Sequence, residues 1–351
     1  MSLTIEEIGK RLGEYEGEEI RIMEVCGSHT AAIAKYGVRS ILSPRIRLIS
    51  GPGCPVCVTP TAYVDRLIEL ASTPKTAVVS FGDLLRVPGS RYSLSEAKGR
   101  GADVRMVYDP MDTLKLAVEE PDTTFVFAAV GFETTAPVYT LLLDEIIGKG
   151  IGNVKLLTSI KTMPGVLRWL LDSETKIDGF LAPGHVCAIT GSEYFAPLAK
   201  EYHKPFAVSG FEAEELLIAI YGLVQMIQEG RCTVENFYPS VVSAGANEVA
   251  FSQLEKYFRV TEAGWRGFGV VEESGLLLKP EYERYDAGSA GLFEDRKRNG
   301  ACSCGEILKG EKTPWDCPLF GKVCTPQNPQ GACMVSYEGS CLSAFSTGGQ
   351  N

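Results

Sequence analysis

The chain has 351 residues, which is enough for two or three domains of about 100–150 residues each. Its composition, with 45% hydrophobic and 22% charged residues, is ordinary for a soluble globular protein. The net charge of −10 argues against nucleic-acid binding, which requires a basic surface to neutralise phosphates.

The first residues carry acidic side chains and no apolar core, so 1–14 predict a short amphipathic helix rather than a signal peptide. No uncharged apolar run is long enough to cross a membrane. We therefore expect a cytoplasmic protein. In that reducing compartment the eleven cysteines are expected to bind metal or carry out thiol chemistry rather than form a disulfide framework.

Hydrophobic segments of strand length alternate with helical patterns over residues 20–229. Strands are predicted at 20–25, 46–50, 76–80, 103–107, 123–130, 154–160, 178–182 and 205–209. Helices are predicted at 29–36, 60–71, 93–99, 111–119, 135–148, 164–172, 192–202 and 212–229. Four βα units are thus followed by four more, which predicts parallel sheets covered by helices. Eight units could close into one barrel, but their uneven spacing and the inserted segment 86–101 favour two open sheets.

The predicted fold class is therefore α/β, with two similar open parallel-sheet domains and a smaller irregular C-terminal domain. The first domain spans 15–120 and the second 121–245, where the βα alternation stops. Residues 246–351 are rich in glycine and hold the last six cysteines, so they predict a third domain stapled by metal. The N-terminal helix, 1–14, is expected to pack on that third domain.

Unusual residues follow the predicted strands, at the carboxyl ends where open parallel sheets bind ligands. In the first half they are 26–30 (Cys-Gly-Ser-His-Thr), 51–57 (Gly-Pro-Gly-Cys-Pro-Val-Cys) and 81–83 (Phe-Gly-Asp). In the second half they are 131–135 (Gly-Phe-Glu-Thr-Thr), 161–164 (Lys-Thr-Met-Pro), 183–185 (Pro-Gly-His) and 210–212 (Gly-Phe-Glu). These segments are the candidates for the functional site.

The C-terminal cysteines are dispersed, at 302, 304, 317, 324, 333 and 341, in a segment without histidine. A segment so poor in regular apolar pattern is expected to be ordered by a metal. Zinc usually takes two close C-x2–4-C pairs, and no C-x-x-C occurs after residue 300. The spacing therefore favours a [4Fe–4S] cluster over zinc or incidental thiols. Such a cluster needs four ligands, and Cys302 and Cys304 are too close in sequence for both to be expected to serve.

Cys54 and Cys57 form a C-P-V-C motif between a strand and a helix, with Thr59 as the predicted N-cap and Pro60 as the first helical residue. This pattern is typical of dithiol–disulfide oxidoreductases, because a helix N-terminus stabilises a thiolate. Half of a zinc site is the alternative.

Cys26 ends the first strand, and His29 follows three residues later. A lone cysteine in a parallel sheet is usually a small buried hydrophobe. Its place beside a polar turn favours function instead, with His29 able to orient or deprotonate the thiol. Glu133 and His185 are further candidates for proton transfer or for supporting a metal-bound ligand, and a helix N-terminal acid is the alternative for Glu133. Cys187 and Cys232 are expected to be structural.

Together these motifs resemble the HypD family of hydrogenase maturation factors, in the same order from about residue 20 to 345. The residues that carry the resemblance are 24–30, 51–57, 131–135, 183–186, 317–326 and 334–341. The resemblance implies two similar α/β domains, a third domain with a [4Fe–4S] cluster, and a role in [NiFe]-hydrogenase maturation. The family helps to build the Fe(CN)2CO unit as a scaffold with redox activity rather than a conventional turnover enzyme. Its partners are the small chaperone HypC, which holds the iron through its N-terminal cysteine, and HypE, which delivers cyanide.

Carried over to this sequence, the resemblance makes Cys26 the ligand that holds the iron, which transiently carries CN and CO, together with HypC. Cys54 and Cys57 become the redox pair, and His29 and His185 become groups near the iron. The cluster ligands correspond to Cys302, Cys317, Cys324 and Cys341, while Cys304 and Cys333 are two further thiols that leave the ligand set open. We expect a monomer outside the complex. The competing hypotheses are a stand-alone thiol–disulfide oxidoreductase with a structural metal site and a zinc-stapled binding protein.

Overall fold

The computed structural model describes residues 3–173 and 175–348. The strands in those ranges are β1 (Ile20–Glu24), β2 (Ile46–Ser50), β3 (Thr76–Ser80), β4 (Val104–Met106), β5 (Thr124–Gly131), β6 (Val154–Lys161), β7 (Gly179–Pro183), β8 (Phe206–Ser209), β9 (Val234–Asn236), β10 (Phe258–Trp265) and β11 (Gly269–Leu278). The α-helices are α1 (Ile5–Gly13), α2 (Gly27–Lys35), α3 (Val38–Ile41), α4 (Thr61–Ala71), α5 (Leu94–Lys98), α6 (Asp112–Glu119), α7 (Ala136–Gly148), α8 (Met163–Asp172), α9 (Gly184–Thr190), α10 (Ala196–Tyr202), α11 (Ala213–Gln228), α12 (Glu248–Tyr257), α13 (Cys304–Leu308) and α14 (Ser340–Ser346).

All eight predicted strands are present, with ends that differ by at most one residue. The clearest is β5, whose run Phe-Val-Phe-Ala-Ala is buried throughout. A strand covered on both faces is apolar without alternation, and this explains why these segments were recognisable. The segment 192–202 begins as a 3₁₀ turn and becomes helical only at Ala196. The residues after β7 form α9, so His185 lies in the first turn of a helix.

The strands form two open sheets, which confirms the predicted α/β class and excludes a single closed barrel. The first sheet has the order β2-β1-β7-β8-β9 and is parallel throughout. The second has the order β10-β11-β6-β5-β3-β4. Its strands β3 to β6 are parallel, and the hairpin of β10 and β11 adds an antiparallel edge beside β6.

The two sheets do not follow the predicted division of the chain at residue 120. The first sheet joins β1 and β2 to β7, β8 and β9, so it takes strands from both predicted domains. The second sheet does the same, because β3 pairs with β5 across that boundary. After β2 the chain leaves the first sheet, completes the parallel part of the second, and returns at β7. This interleaving brings the segments after β1 and β7 to neighbouring positions.

Helices cover both faces of each sheet. On the second sheet, Tyr63, Val64 and Leu67 of α4 pack against one face, and the apolar side chains of α7 pack against the other. On the first sheet, Leu216 and Ile220 of α11 belong to the cluster on one face, and α8 contributes to the cluster on the other. Buried apolar layers on both sides of a parallel sheet are the usual consequence of βα connections.

The ends of the chain differ in part from the prediction. Helix α1 packs on α11 and α3 beneath the first sheet, with Ile8 and Leu12 buried there, rather than on the C-terminal region. Residues 248–278 are regular: they form α12 and the β10–β11 hairpin, and the hairpin extends the second sheet. The irregular cysteine-bearing region is therefore shorter than predicted and begins after the 3₁₀ turn Pro280–Tyr285.

In the ranges that the structure describes, no helix combines the length and the apolar character that a membrane crossing requires.

Candidate metal and thiol site

The candidate residues lie at the carboxyl edges of the two sheets. In the first sheet, the chain runs from β1 to β2 in one direction and from β7 through β8 to β9 in the other. The strand order therefore reverses between β1 and β7, and open α/β sheets bind ligands at such a reversal. Cys26 follows β1, and His185 follows β7. In the second sheet the reversal lies between β3 and β5, where Glu133 follows β5.

Cys26 is the extended residue before α2, with φ −144° and ψ 122°, and its side chain is 7% exposed. The first backbone amides of α2 interact with this residue. The N–H of Thr30 donates to the carbonyl of Cys26 at 3.1 Å, and the N–H groups of His29 and Ser28 stabilise the thiolate form of its side chain. Burial outweighs them and raises the pKa of the Cys26 thiol to about 12. The thiol is therefore protonated until something displaces the proton.

Two carboxyl groups flank the Cys26 turn and also raise the pKa of its thiol. Glu24 is fully buried; one of its oxygens accepts from the amide of Cys26 at 3.3 Å and the other from the hydroxyl of Thr30. Glu338 accepts from the hydroxyl of Ser28 at 2.8 Å. Burial raises the pKa of Glu24 to about 7. Carboxylates at this position disfavour a bare thiolate but favour a bound cation.

The C-P-V-C loop after β2 lies directly against this turn. The amide of Gly27 donates to the carbonyl of Gly53 at 2.9 Å. Cys54 and Cys57 are joined by a disulfide, with their α-carbons 5.2 Å apart, and both are buried. The sulfur of Cys57 lies 4.0 Å from the carbonyl oxygen of Ala332, next to Cys333. The loop thus contacts Cys26 on one side and the C-terminal cysteine region on the other.

Helix α4 begins at Thr61, one residue later than predicted. The hydroxyl of Thr59 donates to the carbonyl of Pro55 and caps no helix. A carboxylate oxygen of Asp295 accepts from the amide of Thr61 instead, at 3.3 Å. The dithiol loop is a separate turn in front of α4, held in place by the C-terminal half of the chain.

The rings of the two candidate histidines both pack against Phe211, whose ring centroid lies 4.8 Å from that of His29 and 3.9 Å from that of His185. His29 is fully buried, and its Nε2 donates to the carbonyls of Gly210 and Ser209 at 3.0 and 3.3 Å. Its Nδ1 is therefore unprotonated, and it has no partner among the described residues. Burial lowers the pKa of His29 to about 4, and burial also lowers the pKa of the more exposed His185.

This geometry changes the expected role of His29. Its imidazole forms no hydrogen bond to Cys26 within the described part of the chain; the backbone amide of His29 acts on the thiol instead. The ring is a neutral group that ties the Cys26 turn to the loop after β8.

Glu133 is 3% exposed and caps a helix other than the one that follows its own strand. One oxygen accepts from the amide of Met163, the first residue of α8, at 2.7 Å and from the hydroxyl of Tyr194 at 3.0 Å. The other oxygen has no partner among the residues described. Burial raises the pKa of Glu133 to about 7. Burial raises the pKa of the Cys187 thiol, and the charges of Glu133 and Cys26 raise it further.

The six C-terminal cysteines are all buried. The sulfurs of Cys304 and Cys333 lie 2.8 Å apart. The sulfurs of Cys302 and Cys304 both lie beside Gly331, where an added Cβ atom would stand 2.8 Å and 3.6 Å from them. Cys324 is within electrostatic range of Cys302 and Cys317. All six belong to one buried cluster, which also contains Cys54, Cys57 and Cys187.

The C-terminal thiols are candidate metal ligands. Across 3–173 and 175–348, no three His, Cys, Asp or Glu side chains are grouped as the ligands of a metal ion. Six buried thiols of one cluster, without histidine, nevertheless match the soft donor set that an iron–sulfur cluster takes. A [4Fe–4S] cluster needs four thiolate ligands, so the chemistry of these six thiols fits the predicted cluster, and two thiols are not needed as ligands.

Sequence reasoning missed three contributors to this site. Glu338 reaches the Cys26 turn from 310 positions further along the chain. Phe211 packs against both histidines. Tyr194 donates to Glu133. Glu338 lies three residues before Cys341 and Phe211 lies two residues after β8, both within segments already singled out, so a signal existed for them. Nothing pointed to Tyr194.

Comparison with known proteins shows similarity over almost the whole chain. Residues 2–348 match the HypD family model, described as "Hydrogenase formation hypA family". The hydrogenase maturation factor HypD of Rhizobium leguminosarum bv. viciae is 44% identical over 337 residues, which cover 93% of this chain and 88% of that protein. HypD of Escherichia coli K12 is 43% identical over 334 residues, covering 93% and 88%. A putative hydrogenase expression/formation protein of Methanocaldococcus jannaschii is 41% identical over 326 residues, covering 92% and 91%.

Proposed function

The chain belongs to the HypD family of hydrogenase maturation factors, and we propose that it is the scaffold on which the Fe(CN)2CO unit is assembled. In this proposal Cys26 holds the iron jointly with HypC, and HypE supplies the cyanide. The Cys54–Cys57 pair and a [4Fe–4S] cluster carry the redox chemistry. The observation that carries the proposal is the direct contact of the dithiol loop with the Cys26 turn.

The surroundings of Cys26 support its role as an iron ligand. A soft thiolate suits iron that carries strong-field diatomic ligands. The thiol is buried beside Glu24 and Glu338, so it keeps its proton in the absence of a cation and gives it up when a metal binds. The N–H groups of Ser28 and His29 then stabilise the thiolate. The same features disfavour reaction with unrelated electrophiles, because the free thiol is a poor nucleophile.

The position of the disulfide supports a relay. Reducing the Cys54–Cys57 disulfide takes two electrons and two protons and yields two thiols. The loop that holds it contacts the Cys26 turn through Gly53 and the cysteine region through Ala332. These two contacts support the proposal that the dithiol passes reducing equivalents from the C-terminal region towards the iron.

The C-terminal cysteines are proposed to hold the cluster through Cys302, Cys317, Cys324 and Cys341. When bound, the cluster would supply electrons one at a time. The chain's own contribution is to bury the thiols together and to exclude water from them, as their low exposure indicates. Cys304 and Cys333 are the two additional thiols in this proposal.

The decisive experiment is anaerobic co-purification of the chain with HypC, followed by infrared spectroscopy. The proposal predicts CN and CO stretches on the complex of the wild-type chain, together with four irons and four labile sulfides per chain for the cluster. A Cys26→Ala complex should lack the stretches, whereas Cys232→Ala, a thiol outside the buried cluster, should retain them. Wild-type complexes without either stretch, or stoichiometric zinc without sulfide, would contradict the proposal.

A stand-alone thiol–disulfide oxidoreductase is the second candidate, favoured by the disulfide between Cys54 and Cys57. It predicts catalysed reduction of small disulfides by the isolated chain. Both cysteines are buried, which argues against access by protein substrates. Turnover that survives Cys26→Ala and needs no HypC would favour this second function.

A further inference from the structure

A cavity of about 280 Å³ lies between the end of β6 and the β10–β11 hairpin. The turn 289–293 closes another side, and Pro60 and Tyr63 at the start of α4 form part of its wall. Cys26, the dithiol and the C-terminal cysteines are not among its lining residues. The volume suits a small organic molecule, since ligand sites begin at roughly 300 Å³.

Lys161, the last residue of β6, lines this cavity and is 2% exposed. Its ammonium group makes one hydrogen bond, to the hydroxyl oxygen of Ser159 at 2.9 Å, and lies 5.6 Å from the centre of the Trp265 ring. Within the described ranges no carboxylate oxygen lies within 4.0 Å of it. A buried ammonium group without a counter-charge is costly, so buried lysines are normally paired. Burial accordingly lowers the pKa of Lys161 to about 7.

The other charged groups of the cavity do not neutralise Lys161. Arg259, on β10, lines the cavity from an exposed position and pairs with no carboxylate in the part of the chain that the structure describes. Glu262 is also exposed, and its carboxylate pairs with neither cation there. The cavity thus holds two cations and one solvated acid.

Three of the hydroxyl groups that line the cavity donate to other protein groups, whereas those of Ser159 and Thr261 donate to none among the described residues. Tyr63 donates to the carbonyl of Leu157, Thr158 to that of Leu276, and Ser289 to the carboxylate of Asp286. Ser159 accepts from Lys161, so its own proton is available to a ligand. Lys161 and Ser159 therefore offer adjacent donors to one group.

We propose that this cavity binds a small molecule through an oxyanion, carboxylate or phosphate, that pairs with Lys161 and accepts from Ser159. Arg259 would meet the ligand at the mouth of the cavity. The site is separate from the proposed iron-binding function and does not depend on it. Because its wall includes the start of α4, an occupant would lie behind the helix that follows the dithiol loop.

The test is binding of inorganic phosphate and of acetate to the full chain, measured by calorimetry at constant ionic strength with chloride as the reference. We expect at least one of the two anions to bind. Lys161→Met should weaken that binding at least about tenfold, since it removes a charge-assisted pair. Lys155→Met, on the same strand but outside the cavity lining, should leave it unchanged. Which anion binds distinguishes a phosphate from a carboxylate ligand.

Absence of binding by both anions, or equal weakening by Lys155→Met, overturns the proposal. If Lys161→Met does not fold, acetylation of the wild-type chain by a small reagent provides the second measurement. The bound anion should slow acetylation of Lys161 and leave that of Lys155 unchanged, as read by mass spectrometry of the peptides. An equal rate at Lys161 with and without the anion also overturns the proposal.

Discussion

The backbone of Gly53 lies against the backbone of Cys26. A Cβ atom on Gly53 would stand 2.3 Å from the amide nitrogen of Cys26 and 2.4 Å from its α-carbon. These atoms are backbone, so no side-chain rotation can relieve the overlap. The glycine is therefore required for the dithiol loop and the Cys26 turn to touch.

Gly53→Ala should push the dithiol loop away from Cys26. Overpacking of this kind costs about 1–3 kcal/mol of unfolding free energy, and hydrogenase maturation should fall with it. Thermal unfolding and hydrogenase activity in cells that carry the variant measure the two effects. Gly152→Ala is the control, since a Cβ there meets no atom within 4 Å. Full maturation by Gly53→Ala would show that the contact is dispensable.

Cys26→Ala should abolish [NiFe]-hydrogenase maturation and leave the C-terminal iron and sulfide content unchanged. The reason is that Cys26 belongs to the turn after β1, whereas the proposed cluster ligands gather in the C-terminal region. Iron and labile sulfide are determined on the purified chain, and maturation is determined in cells. Loss of iron from this variant would mean that the two sites are not separate.

Cys54→Ser should stop maturation while HypC still binds. The serine cannot form the disulfide, but the contact between Gly53 and the Cys26 turn uses only backbone atoms and survives. Co-purification of HypC with the variant tests binding, and hydrogenase activity tests the redox role. Normal activity in that strain would refute the relay.

Single serine variants of the six C-terminal cysteines should fall into two groups. Cys302, Cys317, Cys324 and Cys341 should each lose most of the bound iron, because oxygen is a poorer ligand than thiolate for a cluster. Cys304 and Cys333 should lose little. Their sulfurs touch each other, so a serine at either position leaves one thiol beside the proposed ligands. Iron analysis after anaerobic purification measures the iron that each variant retains. Severe loss of iron in the Cys304 or Cys333 variant would change the proposed set of cluster ligands.

Local sequence pattern predicted the elements of this fold but not their pairing. Strands such as β5 are continuous apolar runs, and the site residues follow them at the carboxyl ends. The hydrophobicity of a segment indicates that the segment is buried, but it does not indicate which strand lies beside it. The pairing of β1 with β7, which brings Cys26 and His185 to one edge, joins residues far apart in the chain and could not be derived from either segment.

The β10–β11 hairpin was missed for a different reason. It lies at the edge of the second sheet, where Val260 and Val270 are exposed, so its apolar pattern is incomplete. Glu338 was missed because its role depends on a contact with Ser28, which the fold alone creates. A contact between residues so far apart in the chain depends on the packing of α14 on α2, and the spacing of residues within either segment does not indicate it.

The last prediction concerns Glu133 and the dependence of stability on pH. Burial raises the pKa of this carboxyl group in the folded chain from 4.5 to about 7. Between these two values the folded chain holds a proton that the unfolded chain has released. The contribution of Glu133 to stability therefore falls as pH rises through this window and is constant above it. At about 1.4 kcal/mol for each tenfold change in proton affinity, the loss amounts to about 3 kcal/mol.

Glu133→Gln removes this titration and keeps an oxygen that can accept from the amide of Met163 and the hydroxyl of Tyr194. The variant should therefore gain stability relative to the wild type as pH rises from 5 to 8. Urea unfolding at both pH values measures the difference, and Glu255→Gln, on the exposed side of α12, controls for the loss of a charge. A difference between Glu133→Gln and the wild type that is the same at pH 5 and pH 8 would show that Glu133 is ionised throughout. The carboxylate would then act as a permanent charge at the start of α8 rather than as a group able to exchange a proton near neutral pH.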